Sequence, residues 1–314
     1  MHNKHFKELF RRYEGNPILT AGDWKYPANT VFNAGATKLQ NGETLLLVRV
    51  EDRRGHSHLT VARSLDGVTN WQIDDKPTLA PDPENFPEDV WGIEDSRITW
   101  IPELEEYIIT FTSYSTNGAL VSLASTKDFK SFERKGVVCP PEDKDAAMFP
   151  RRIGNRWALV HRPVSGTCAN IWISYSTDLK HWGDSKVALE ARSGAWWDAN
   201  KIGLSPPPLE TPEGWLFIYH GVRVTAGGCL YRLGLALMDL DDPTKLIRRG
   251  REWVFAPVEP YERVGDVNDV VFPCGYTHDA ASGEIKMYYG AADTCIALAT
   301  GNSNELLDWL KDNS

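Results

Sequence analysis

The 314 residues carry 34 lysines and arginines against 43 aspartates and glutamates, a formal net charge of −9 that argues against nucleic acid or an anionic membrane surface as the main partner. No apolar run is long enough to span a bilayer, and the N-terminal MHNKHFKELFRRYEG lacks the apolar core and small-residue cleavage site of a signal peptide, so a cytoplasmic location is expected. The five cysteines, Cys139, Cys168, Cys229, Cys274 and Cys295, are an odd and scattered set, which suggests neither a disulfide framework nor a zinc site; no metal is expected.

Along the chain, a short peripheral helix is predicted over Phe6 to Arg11, followed by an extended segment, GNPILT from Gly15. A four-part pattern then repeats. The first copy is VFNAGATKL from Val31, TLLLVRVED from Thr44 to Asp52, HLTVARS from His58 and KPTLAP from Lys76. The second is EDSRITWI from Glu94, YIITFTSYS from Tyr107 to Ser115, GALVSLAST from Gly118 and GVVCPP from Gly136. The third is DAAMFPRRI from Asp145, WALVHRP from Trp157 to Pro163, NIWISYST from Asn170 and SKVALEA from Ser185. The fourth is DANKIGL from Asp198, WLFIYHGV from Trp215 to Val222, YRLGLALMDL from Tyr231 and EWVFAP from Glu252. The fifth has NDVVFPCGY from Asn268, IKMYYGAAD from Ile285 to Asp293 and CIALATG from Cys295, but no fourth part. A second peripheral helix is predicted over Asn304 to Lys311, with Leu306, Leu307 and Leu310 on one face.

Short-strand repeats with a period of tens of residues imply an array, because one unit cannot bury its apolar face alone. The expected fold is all-β, a five-bladed β-propeller closed by an N-terminal strand: GNPILT supplies the outer strand that blade five lacks and covers the open edge. No Gly/Ser-rich or charge-rich linker interrupts the chain, so residues 1–314 are expected to form a single domain.

In a propeller the innermost strands line a central channel, and polar residues near the ends of those strands and of the second strands converge at one mouth. Here these are Asn33, Glu94 with Asp95, Lys144 with Asp145, Asp198 with Lys201, and Asn268 with Asp269, joined by Arg49, Glu51, Asp52, Arg53, Tyr114, His161, Arg162, Tyr219, His220 and Asp293. The acids concentrate in blades one, two and five, and Lys144, Arg162, Lys201 and His220 come from blades three and four. An acidic wall facing a basic wall suits a neutral sugar held beside an anion. The plain alternative for any one of these charges is a salt bridge between blades; recurrence at equivalent positions favours a site. His161 is expected to be a neutral core histidine. Trp24, Trp91, Trp196 and Trp197 fall in segments expected near the channel, whereas Trp71, Trp157, Trp172 and Trp182 are expected in the core.

NPILT, VFNAGA, VRVEDRRG, GIEDSRIT, KDAAMFPRRI with HRP, DANKIG with YHGV, and YYGAADT together resemble glycoside hydrolase family 130, the β-mannoside phosphorylases and their relatives, in order from about Gly15 to the last repeat. The resemblance implies a five-bladed propeller. It implies Asp95 as catalytic acid, phosphate held by Lys144, Arg162, Lys201 and His220, and a sugar bound near Asn33, Arg49, Asp52 and Asp293. Glu94, beside the acid and counted with the sugar-binding set, either orients Asp95 or holds an arginine. Ser96 departs from the proline common after the ED pair in the family, which alters the loop but leaves the acid in place.

The activity so implied is inverting phosphorolysis of a β-mannoside by inorganic phosphate to α-D-mannose 1-phosphate, with phosphate as co-substrate and no other cofactor. Phosphate, already an anion, needs no protein base to attack the anomeric carbon, so one carboxylic acid suffices; the family resemblance implies that it acts through the sugar's own 3-hydroxyl. The rivals are a β-mannoside hydrolase, which needs a base for water and no phosphate cage, and a noncatalytic sugar-binding propeller. The partners expected are β-mannoside and phosphate, with the linkage, the acceptor sugar and homo-oligomerisation left open.

Overall fold

The computed structural model describes residues 8–165 and 168–314. After β1 (Arg11–Arg12), strands β2 (Thr30–Lys38), β3 (Thr44–Glu51), β4 (Ser57–Ser64) and β5 (Gln72–Ile73) pair in sequence into an antiparallel array. Array two consists of β6 (Ile93–Ile101), β7 (Glu106–Ser115), β8 (Gly118–Thr126) and β9 (Glu133–Cys139). Next come β10 (Asp143–Met148), β11 (Trp157–Ser165), the two-residue β12 (Cys168–Ala169), β13 (Ile171–Ser176) and β14 (Gly183–Leu189), then β15 (Lys201–Leu204), β16 (Leu209–Thr211), β17 (Gly214–Thr225), β18 (Gly228–Met238) and β19 (Leu246–Arg249). Arrays three and four join into one ten-stranded sheet because β12 pairs with both β11 and β15. The short α1 (Pro260–Arg263) precedes array five, which holds β20 (Val271–His278), β21 (Glu284–Ala291) and β22 (Cys295–Asn302) and is followed by α2 (Ser303–Asn313).

The chain is therefore all-β with few helices, and none among the described residues is long and apolar enough to cross a membrane. Strand β3 shows why the second strands read as unbroken apolar runs. Leu45 and Leu47 pack on one side with Ile98 and Ile109 of array two, while Leu46 and Val48 pack on the other with Tyr288 and Leu298 of array five. A strand covered on both faces has no polar face to show. The same sandwiching links array two to three, three to four, and four to five. Each fully buried Leu, Val or Phe side chain contributes about 1.5–3 kcal/mol.

Array five takes its fourth strand from the other end of the chain. Arg12 lies opposite Ala299, Leu19 bridges Ile296, and between them the Asn16 amide exchanges hydrogen bonds of 2.9 and 2.8 Å with the backbone of Leu298. The fourth strand itself is Arg11–Arg12, just ahead of GNPILT, and GNPILT continues along the same edge through Asn16 and the Leu19 bridge. The helix expected over Phe6 to Arg11 does not form in its described part: Arg11 starts a strand, and Phe6 lies outside the described residues. One and a half turns of isolated helix are marginal in water, and the free edge of β22 offers backbone partners instead.

Candidate active site

Three neighbouring inner strands carry the same irregularity. The ladder slips between Phe32 and Gly35 in β2, between Glu94 and Arg97 in β6, and between Lys144 and Ala147 in β10. At each bulge the first extra residue is left-handed: Asn33 at φ 47°, Asp95 at 50° and Asp145 at 55°. Bulges re-aim side chains and concentrate beside active sites, and backbone strain of this kind persists only where its surroundings enforce it. Asn and Asp tolerate this conformation better than other side chains. All three residues are buried.

Asp95 is the meeting point of the first cluster. Its Oδ1 accepts from Asn33 Nδ2 at 2.9 Å and from Arg49 Nη1 at 3.1 Å. Arg49 also donates to Glu51 and Glu94 through Nη2 and to Ser57 through Nε, and Lys144 Nζ reaches Glu94 at 3.2 Å. Burial opposes the charge on Asp95, but Arg49, Lys144 and Arg97, helped by the Asn33 amide, hold its carboxyl below the usual range. Asp293, left-handed at φ 50°, behaves oppositely: burial, with Asp95, Glu51 and Glu94 close by, outweighs Arg49 and pushes its carboxyl up to about 7. The two aspartates thus prefer different protonation states. Asn33 Oδ1 is buried without a hydrogen-bond partner, against Gly290, where a Cβ would collide with it.

The second cluster gathers on Asp145. Its Oδ2 takes Arg162 Nε at 2.6 Å and lies 3.3 Å from His220 Nε2, and its Oδ1 takes Arg97 Nη2 at 3.3 Å. Burial disfavours the charge here too, yet Arg162, His220 and Arg97 hold Asp145 well below the usual carboxylate range. His220 is pushed down by burial despite Asp145, and its Nδ1 lies 3.2 Å from Ser205 Oγ. Gly203 must lack a side chain, since a Cβ there would strike Asp145 and His220. Lys201, two residues earlier on β15, points to that same face by strand alternation.

Arg97, 1 % exposed, ties the clusters together: it donates to the backbone oxygens of Asp95, Leu204 and Ser205 as well as to Asp145. It does not pair with the Asp95 carboxylate, which removes the simplest structural account of that acid.

Of the residues singled out in the sequence, Asn33, Arg49, Glu94, Asp95, Lys144 and Asp293 share the first cluster, and Arg162 and His220 the second. Asp52 joins neither; it lies beyond the end of β3 and closes a turn on Arg54 and the backbone of His56, while Glu51 faces Arg49 in its place. The separate acidic and basic walls are not found. Lys144 sits on Glu94 and Asp145 lies among the cations, because buried charges must be paired. His161 lies apart from both clusters, buried between Asp143 and Ser174. Trp24 and Trp197 are corrected to core residues, the first bonded to Tyr26 and the second stacked on Tyr219. Trp91 remains exposed, edge-on to Tyr114, whose ring lies 5.8 Å from Lys144 Nζ. Asp145, expected at the channel mouth but given no role there, is the centre of the second cluster, and Arg97 was not singled out for the site. Alignment of FNAG with EDSR and KDAA, which puts Asn33, Asp95 and Asp145 in one column, was the available signal for Asp145.

A family model described as beta-1,4-mannooligosaccharide phosphorylase matches residues 4–312. The chain is 31 % identical over 316 residues to the beta-1,4-mannooligosaccharide phosphorylase of Ruminococcus albus, covering 98 % of this chain and 92 % of that protein. It is 33 % identical over 360 residues to the beta-1,2-mannobiose phosphorylase of Listeria innocua, covering 96 % of this chain and 98 % of that one. The solved structure of a Listeria innocua beta-1,2-mannobiose phosphorylase in complex with beta-1,2-mannobiose superposes with a TM-score of 0.87 at 32 % identity, over 97 % of this chain and 99 % of that chain.

Proposed function

The chain belongs to glycoside hydrolase family 130, and from that premise we propose that it cleaves β-mannosides with inorganic phosphate, inverting the anomeric centre to release α-D-mannose 1-phosphate and a shortened acceptor. The five arrays are read as the blades of one propeller domain, with both clusters at its channel. Phosphate is the co-substrate, and no further cofactor is invoked.

One observation supports the phosphate arm above others. Among the described residues, the two terminal nitrogens of Arg162 and the ammonium of Lys201 have no hydrogen-bond or ion-pair partner, although Arg162 is held rigidly by Asp145 through Nε. Donors free at their tips and anchored at their base suit a tetrahedral oxyanion. Asp95 supplies the proton for the leaving oxygen. In the free enzyme its cationic neighbours keep it ionised, and a phosphate bound at Arg162 and Lys201 offsets part of that field, raising the proton affinity of the acid as the nucleophile arrives. Asn33 and Arg49 hold the Asp95 carboxyl against the sugar, and protonated Asp293 donates a hydrogen bond to it.

The direct test is release of mannose 1-phosphate from a panel of β-1,2- and β-1,4-mannosides, mannosyl-glucose and mannosyl-N-acetylglucosamine, with and without phosphate. Equal turnover to free mannose in phosphate-free buffer would replace phosphorolysis by hydrolysis. Arg162→Ala should raise KM for phosphate about tenfold or more while moving KM for the mannoside little, as expected for a charge-assisted contact of about 1.5–3 kcal/mol made to one substrate only.

A pH effect follows from Asp293. Its raised folded value means that between the ordinary carboxylate range and about 7 the folded protein keeps a proton which the unfolded chain has released. This group therefore lowers stability as pH climbs through that window, and the loss is complete above it. Asp293→Asn should gain melting temperature over the parent at pH 8 and gain less at pH 5; equal differences at both would contradict the assignment.

A further inference from the structure

Three arrays share a staple that the site does not use. Fully buried Asp89, Asp198 and Glu262, each from the segment leading into its array, pair with Arg134 at 2.9 Å, Arg249 at 2.7 Å and Arg12 at 2.7 Å. The arginines come from the outermost strands and occupy one register position, opposite Ala124, Ala236 and Ala299 respectively. Each small alanine leaves the guanidinium a path to the acid.

Array three has a buried acid nearby, Asp143 at the first position of β10, and lacks the arginine. Asp143 is 2 % exposed; one oxygen accepts the backbone N–H of Arg162 at 3.0 Å and the other lies 2.6 Å from His161 Nδ1. Ser174 stands where the alanine would be, and in the slip of register across from it are Asp184 and Ser185. Asp184 turns away to Arg156, and Ser185 meets Ser174 at 2.7 Å. Beside Asp143 opens a cavity of about 580 Å³, lined by Cys139, His161, Ser174, Trp172 and Trp182 among others. Ligand atoms of Cys139, Asp143 and His161, all buried, lie within 4.8 Å of one another.

We propose that this cavity binds a thiophilic divalent cation of the zinc type, held by Cys139, Asp143 and His161 in the place that arrays two, four and five give to arginine. Bonds of about 2.0–2.3 Å at tetrahedral angles put ligand atoms about 3.3–3.6 Å apart, so His161 Nδ1 and Asp143, now 2.6 Å apart, open by roughly 1 Å to admit the ion, and the Cys139 sulfur, within 4.8 Å of both, closes by at most about 1.5 Å. Thiolate, carboxylate and imidazole are the ligand types such an ion selects, and their two negative charges balance it. Cys139 binds as the thiolate, its proton passing to solvent. Ser174, 2.7 Å from His161 Nε2, fixes the imidazole orientation, so Nδ1 is the ligating nitrogen. The ligands come from the end of β9, the start of β10 and the middle of β11, which is why cysteine spacing gives no sign of them.

The test uses the full chain, stripped with chelator and titrated with cobalt(II) as a spectroscopic stand-in for zinc. The expected result is uptake of one equivalent with a thiolate-to-cobalt charge-transfer absorption that zinc displaces and Cys139→Ser abolishes. Ser174→Ala, which gives array three the alanine of its neighbours, should weaken affinity about 10–100-fold as the loss of an outer-shell partner does. Ser185→Arg, at an exposed position, should bring a guanidinium to Asp143, block cobalt uptake and raise the melting temperature of the metal-free protein. No thiolate band in the parent, or a band unchanged in Ser174→Ala and Ser185→Arg, overturns the proposal.

Discussion

Asp95→Asn is expected to lower kcat for phosphorolysis on the order of 10²–10⁴-fold, the usual worth of a general acid, while the melting curve stays close to that of the parent. The choice of asparagine matters because residue 95 sits at φ 50°. Asn tolerates that conformation, whereas Ala would add backbone strain of about 1–3 kcal/mol and confuse lost chemistry with lost fold. The amide oxygen can still accept from Asn33 and Arg49, and Arg49 keeps Glu51 and Glu94 as partners. What the amide cannot do is give up a proton to the departing sugar. Steady-state kinetics together with calorimetry decide it: a folded variant with near-parent kcat would remove Asp95 from the mechanism.

Removing the residues before Ala21 is expected to abolish stable folding. Leu9, Phe10 and Leu19 are all under 10 % exposed, at 6 %, 2 % and 2 %, and each contributes about 1.5–3 kcal/mol by burial. Arg12 leaves with them, stranding Glu262, which is fully buried and also bonded to Tyr289. Breaking a buried ion pair from one side costs about 3–5 kcal/mol. Together these losses rival the about 5–15 kcal/mol that holds an ordinary domain, and they expose the edge of β22. Aggregation on size-exclusion chromatography and loss of a cooperative melt are the expected observations. Arg12→Ala, which keeps β1, should show the ion-pair part alone; a truncated chain that melts like the parent would make the segment dispensable.

The strands were legible because covering a strand on both faces requires apolar runs such as Leu45 to Val48, and those runs recur with punctuation between them. The left-handed bulges were not legible as such. FNAG, EDSR and KDAA align Asn33, Asp95 and Asp145 in one column at the strand starts, but only the ladder slip shows that a left-handed bulge is what turns all three inward. Glu51 and Asp52 differ by one position, yet alternation turns Glu51 toward Arg49 while Asp52 falls past the strand end. Periodicity cannot say where a strand stops to that accuracy. Nor could it find the staples, since Asp89 and Arg134 are 45 residues apart and Arg12 and Glu262 are 250 apart.

The pairing of Asn16 with Leu298 joins residues 282 apart in the chain. During synthesis, at about 5–20 residues per second, the N-terminal strand therefore waits roughly 15–60 s for its partner to be made. Throughout that interval Phe10 and Leu19 have no core to enter, and the newborn chain is open to any other unpaired edge, including that of a neighbouring copy on the same messenger.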